Sequence, residues 1–429
     1  MRGRYFRYLF ENPDGGLMHI GSLYDREGQR TTSYIYMVGS YCRNGSKNNR
    51  ENENQKKEMT PERIDILVMG CYTTEYVIKL IHLVKQHEIG MIILPYLAPI
   101  QRLVLAEEIE DGSANGKETT RFLQDPYGFL KEFCAGKIYF LYGNDSLLTR
   151  APEELEQGIF FNPVDERVRK LIREMEGYVV PVVQAGYIIE NNWLFYFGVY
   201  GLDIQVLSDF TRGYFGNMEN INELSENVNE DYVGQMKRLL QEYQTKFGSS
   251  PATTIVMFVD PLYAFTGEND CFMTEKESGG EECLKKLERM QGDPRCLCTV
   301  SCMRERDYDT MRQKRKEEQG ESRFGILLLG NVNLNRYLPE VLARFWKVRF
   351  RIRGISVPNC GGGEDWNHKI LGLAAKRERL YWICSKADIT SVGVVSDIVL
   401  SGPNNRFLIL DRNTGCCFSG YIVPKEDIE

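Results

Sequence analysis

The side chains best suited to chemistry lie in one short turn, Gly70–Tyr76 (GCYTTEY). It carries a thiol at Cys71, hydroxyls at Thr73 and Thr74, a carboxylate at Glu75 and phenols at Tyr72 and Tyr76. Thiolate and carboxylate are metal donors, and a thiolate is also a nucleophile. A cysteine hydrolase at Cys71 would need a base. A helix start would lower its pKa, but no histidine is near it in sequence. The chain has four histidines: His19, His82, His87 and His368. No HxH, HxxxH or HExxH pairing exists, so a zinc hydrolase of clustered imidazoles is hard to assemble.

A cysteine-rich, highly charged stretch spans 262–322. Cys296, Cys298 and Cys302 give C-x-C-x3-C, with Cys271 and Cys283 upstream. Four thiolates could close a structural zinc site, which would order the stretch without giving it activity. The C-x2-C spacing of zinc ribbons is absent, and the alternative is free thiols in a flexible insertion.

The elements that must position these residues follow from hydrophobic periodicity. Ile64–Met69 is a short apolar run; Val77, Leu80, Ile81 and Val84 recur at helical spacing; Met91–Leu94 is a second apolar run closed by Pro95. The unit reads as strand, turn, helix, strand, with Gly70–Tyr76 at the C-terminal end of the first strand, where α/β proteins commonly bind ligands. Upstream, Thr31–Val38 marks the start of a sheet. Residues 42–60 are polar and predict a mobile surface loop, and 107–125 predict a second loop. Gly136–Tyr142 predicts a strand, Val164–Gly177 and Val233–Phe247 helices, and YVVPVV with WLFYFGVYGLDI an antiparallel pair. Thr253–Val259, Gly325–Leu329, Leu380–Cys384, Arg406–Leu410 and Gly420–Val423 predict strands. Val348–Val357 predicts an extended segment, and Val341–Trp346 and Val392–Leu400 helices. Strands alternating with helices, plus hairpin-like pairs, point to a layered α/β architecture.

A length of 429 residues allows a large core, and the formal net charge of −7 gives no global basic field for nucleic acid. No apolar run approaches the ~20 residues that span a bilayer. MRGRYFRYLF lacks the apolar region of a signal peptide. The expectation is a cytoplasmic protein with reduced thiols and no membrane association.

The order of elements resembles the metallo-β-lactamase fold, in the subgroup like the C-terminal domain of ComEC DNA-uptake proteins. That family carries an SHxDxDH-type motif after a buried strand. Laid on GCYTTEY, its histidines fall on Cys71 and Tyr76 and its aspartates on Thr73 and Glu75. The family's bridging Gly-Asp becomes Gly330-Asn331. Its PHHGS becomes VPNCGG, with Asn359 and Cys360 at the matching positions, and the histidine of its GHP-like turn becomes Val394. The resemblance covers most of 20–425 and implies a single domain over 1–429, a four-layer αββα sandwich with surface insertions. The scaffold agrees and the metal-binding side chains do not. It therefore implies a catalytically inactive member, a pseudoenzyme with no cofactor in the degenerate site, acting as a subunit or adaptor for a protein partner. The subgroup implies a bacterial multi-gene setting such as antiviral defence. The alternative is a nuclease- or phosphodiesterase-type hydrolase with a rebuilt mononuclear site at Cys71, Glu75 and Cys360. A third reading is a nucleic-acid-binding module using the old substrate groove.

Overall fold

A computed structural model describes residues 3–11, 16–24, 30–38, 62–107, 114–145, 147–191, 193–215, 230–248, 253–262, 264–265, 272–275, 325–361, 365–373, 380–385, 394, 397–398, 405–410 and 414–422. Its strands are β1 (Gly3–Glu11), β2 (Leu17–Tyr24), β3 (Arg30–Val38), β4 (Arg63–Ile64), β5 (Ile66–Met69), β6 (Glu88–Ile89), β7 (Met91–Pro95), β8 (Lys137–Asn144), β9 (Gly158–Phe160) and β10 (Val182–Ala185). They continue as β11 (Tyr187–Glu190), β12 (Trp193–Tyr200), β13 (Thr254–Pro261), β14 (Ala264–Phe265), β15 (Phe272–Glu275), β16 (Gly325–Leu328), β17 (Ile352–Ser356), β18 (Leu380–Ser385), β19 (Asn405–Leu410) and β20 (Thr414–Ile422). The helices are α1 (Thr74–Gln86), α2 (Pro99–Ala106), α3 (Ala114–Gln124), α4 (Pro126–Phe133), α5 (Glu166–Glu176), α6 (Ile204–Phe215), α7 (Glu230–Phe247) and α8 (Leu334–Phe345).

The chain is a mixed α/β protein with two large sheets and a small one made of β4 and β6. The first sheet runs β10-β8-β7-β5-β3-β2-β1-β20-β14, with β15 also on β20. Its β3, β5, β7, β8 and β10 are parallel, while β3, β2, β1 and β20 are antiparallel. The second sheet runs β19-β18-β17-β16-β13-β12-β11-β9. Its β16 to β19 are parallel and the rest antiparallel.

Alternation along the strands assigns each face. Met37, Met69 and Leu94 pack with the apolar faces of α1 to α7. Their neighbours Tyr36, Val68 and Ile93 pack with Phe195, Phe197, Met257 and Leu328 of the second sheet. The opposite residues of that sheet, Tyr196, Phe258 and Leu327, pack with Leu338, Val341 and Phe345 of α8. Period-2 burial on both faces is what continuous apolar runs require of central strands.

Several expectations change. The predicted loop 107–125 contains α3, which buries Phe122 and Leu123 against the first core despite its polar composition. Trp193–Tyr200 pairs with Tyr187–Glu190, whereas Val182–Ala185 joins the first sheet parallel to β8, so YVVPVV and WLFYFGVYGLDI are not partners. Val348–Val357 begins as a 3-10 turn, Trp346–Arg351, and becomes extended only at Ile352. The loop 42–60 and most of 391–400 lie outside the described residues. Of the insertion 262–322, the described parts include β14 and β15, which extend the first sheet through β20; the rest lies outside. Among the described residues no helix is long and apolar enough to cross a membrane.

Candidate functional site

The ends of β5 and β16 and the start of β13 meet at one corner between the large sheets. Cys71 forms an isolated bridge with Thr254, and the Ile255 amide donates to the Gly70 carbonyl at 2.7 Å. The Thr254 hydroxyl donates to the same carbonyl at 3.0 Å and accepts the Asn331 amide at 3.3 Å. The Asn359 amide donates to the Gly330 carbonyl at 2.8 Å, which adds the end of β17. Three sequence segments far apart, around residues 71, 331 and 359, are therefore tied together by main-chain bonds and the Thr254 hydroxyl.

Two glycines are needed for this approach. At Gly70 a Cβ would lie 2.5 Å from the Tyr36 hydroxyl oxygen. Gly330 has φ +60, in the left-handed region, and its Cβ would lie 2.7 Å from Thr254 Oγ1. Asn359 also takes positive φ, at 49°, a conformation that asparagine tolerates better than most residues.

Within this frame the side chains contact one another. Cys71 is fully buried, and its Sγ accepts the Asn331 Nδ2 donor at 3.3 Å. Thr73 is the N-cap of α1, with its hydroxyl accepting the Tyr76 amide at 3.4 Å. Tyr76 is buried in the first core under the Lys79 ammonium, 4.6 Å above its ring. Glu75 is exposed in the first turn of α1, where its charge complements the helix dipole. Asn359 Nδ2 lies 3.5 Å from Asp365, a carboxylate that sequence reasoning did not single out. Val394 is buried in the core beside α8.

The resemblance implies two zinc ions here, and the donor set does not fit them. The position of the bridging carboxylate is an amide whose nitrogen donates to a thiol. One histidine position is a buried hydrocarbon, Val394, and another is a core phenol, Tyr76. Zinc needs several deprotonated donors converging at about 2 Å. Of the alternative trio, Cys71 is enclosed and Glu75 faces solvent, while the Cys360 side chain is outside the described set. Among the described residues no three His, Cys, Asp or Glu side chains gather to hold a metal ion. Cys271, Cys283, Cys296, Cys298 and Cys302 are outside the described residues.

The histidines stand apart from this corner in role. His19 is buried against Tyr34, its Nε2 3.4 Å from the phenol oxygen; burial first, then the Arg7 charge, holds its pKa well below the usual value. His82 is exposed on α1.

Sequence reasoning missed a second feature at the same end of the first sheet. Tyr72, Tyr96 and Phe140 line a small cleft with the buried pair Arg102–Glu176, whose Nη2–Oε2 distance is 2.6 Å. The Tyr96 hydroxyl donates to the other Glu176 oxygen at 2.9 Å. The cleft's volume of about 10 Å³ is the room of a single water.

No protein-family model matches this chain, and no curated protein is significantly similar to it in sequence.

Proposed function

We propose that this chain is a catalytically inactive relative of the metallo-β-lactamase fold, a four-layer αββα sandwich, that serves as a subunit or adaptor for a protein partner. The layering is supported by the three cores, one between the sheets and one under the helices on each outer face. The observation that carries the loss of function is the Asn331–Cys71 contact, where an amide nitrogen donates to a thiol at the position a bridging carboxylate takes in that family. An amide cannot supply the negative charge that holds two cations together. Retaining so large a scaffold without donors fits a binding role better than a chemical one. The wider expectation, a place in a bacterial multi-gene system such as antiviral defence, rests on the resemblance alone.

The test is metal content and turnover. Purified full chain, supplied with zinc or manganese and then desalted, is expected to retain less than one equivalent of metal at this corner and to hydrolyse neither DNA nor a phosphodiester model substrate. Two bound equivalents, or metal-dependent turnover removed by Glu75→Gln, would overturn the reading. Metal lost specifically on Cys71→Ala and Cys360→Ala would favour the mononuclear hydrolase instead.

A further inference from the structure

The turn Trp346–Arg351 presents an unusual surface. Trp346 is 49% exposed and Phe350 60% exposed. The guanidinium of Arg349 lies against both, 3.7 Å from the Trp346 ring centre and 4.0 Å from that of Phe350. One of its nitrogens, Nη1, donates to the Trp346 carbonyl at 2.9 Å. Lys347 is exposed in the same turn. Among the described residues neither Lys347 nor Arg349 forms a salt bridge; Glu340, the nearest acidic residue before them in sequence, is paired with neither. The turn is anchored from beneath, because Val348 is buried and Arg351 is locked to buried Asp260. The cluster of Trp346, Arg349 and Phe350 is thus a preformed element rather than three loose side chains.

We infer that this surface docks a protein partner whose contact segment presents a carboxylate flanked by aliphatic side chains. A guanidinium within about 4 Å of two ring centres and bonded to a backbone carbonyl is restrained before a partner arrives, so pairing with a carboxylate costs it little further entropy. Trp and Arg are the residue types that dominate binding energy at protein interfaces, and the two rings supply the apolar contact. Charge favours this occupant over nucleic acid. Two cations release too few counterions to hold a polyanion at physiological salt, whereas they match a single carboxylate. The inference rests on the adaptor reading and names the chemistry of its partner.

Trp346 provides the readout: of four tryptophans, Trp193, Trp366 and Trp382 are buried. A random-peptide display library is panned on the full chain, and the selected peptides are titrated while tryptophan emission and iodide quenching are followed. The expected peptides are enriched in Asp or Glu beside Leu, Ile or Phe and shield Trp346 from iodide. They should bind Arg349→Glu roughly tenfold more weakly. Lysine in place of the peptide's acid should restore binding to that variant, a charge swap that a folding defect would not produce. The inference is overturned by selected peptides without acidic enrichment, or by binding indifferent to both Arg349→Glu and Trp346→Ala. It is also overturned if an oligothymidine or phosphatidylserine vesicles shield Trp346 and the peptides do not. Indifference to these variants in a metal-free, inactive protein would sink the surface and spare the adaptor reading. Metal-dependent turnover would sink that reading whatever binds here.

Discussion

On the proposed reading, Asn331→Asp returns to the end of β16 the carboxylate that a two-metal hydrolase would need there, and it separates a dead site from a dormant one. Asn331 is 7% exposed and gives its Nδ2 donor to Cys71 Sγ. The substitution removes that hydrogen bond, worth about 1 kcal/mol, and buries a carboxylate. If burial raises the new carboxyl by about two pH units, ionising it in the folded state costs about 2.7 kcal/mol more. The sum is near 4 kcal/mol at pH 8. With an unfolding entropy of about 2.1 cal/mol/K per residue, 429 residues give roughly 0.9 kcal/mol/K, so the melting temperature falls by about 4 °C. The sign is set by the raised carboxyl: the penalty is full above its folded pKa and disappears as pH falls toward the unfolded value near 3.9. Differential scanning calorimetry of both proteins at pH 8 and pH 5, with and without zinc, checks this. A melting temperature unchanged at pH 8 would refute the burial argument, and one raised by zinc in the parent protein would refute the claim that the corner, with its amide, cannot hold a cation.

Other perturbations follow from the buried polar groups. Glu176→Gln leaves the Arg102 guanidinium enclosed without its counter-charge and should cost about 3–5 kcal/mol, whereas the double replacement by methionines should cost much less; equal losses in calorimetry would show that the charge imbalance is not the cause. His19, held neutral by burial and Arg7, resists protonation in the fold but not in the unfolded chain. Stability should therefore be full above pH 6.5 and fall on acidification below it, by up to about 1.4 kcal/mol per pH unit, and His19→Gln should flatten that slope in urea titrations. Burial pushes the Cys384 thiol up to about 12, so it should react with a disulfide reagent only when the chain unfolds; rapid modification of the native protein, located by peptide mapping, would contradict its enclosure.

The central strands were legible because both their faces are buried, and runs such as Ile66–Met69 and Met91–Pro95 allow no other placement. Helix α1 was legible for a similar reason: its apolar residues recur at helical spacing and Thr73 caps it. α3 was not, because its polar residues outnumber the few, Phe122 and Leu123 among them, that reach the core. YVVPVV carries no period that distinguishes a parallel edge strand from half of a hairpin, and its neighbour β11 took the place beside β12. In the site, the Gly70 turn could be placed from its strand end, whereas Asn331 and Asn359 were singled out only by the motifs of the resembled family, laid on strand ends. Thr254 and Tyr36 could not be placed, since nothing local marks a hydroxyl that will bond a carbonyl more than 180 residues away. The Arg102–Glu176 pair was invisible for the same reason, being 74 residues apart in sequence.

The pairing of Gly3 with Ile422 has a consequence for synthesis. The outer ladder of β1 stays uncovered until the ribosome has delivered β20, which at about 5–20 residues per second takes roughly 20 to 80 s. Throughout that time the nascent chain offers an open β-edge to any neighbouring chain on the same message. Holdases that cover this edge, or the speed of translation towards residue 422, would then bear on the yield of native protein.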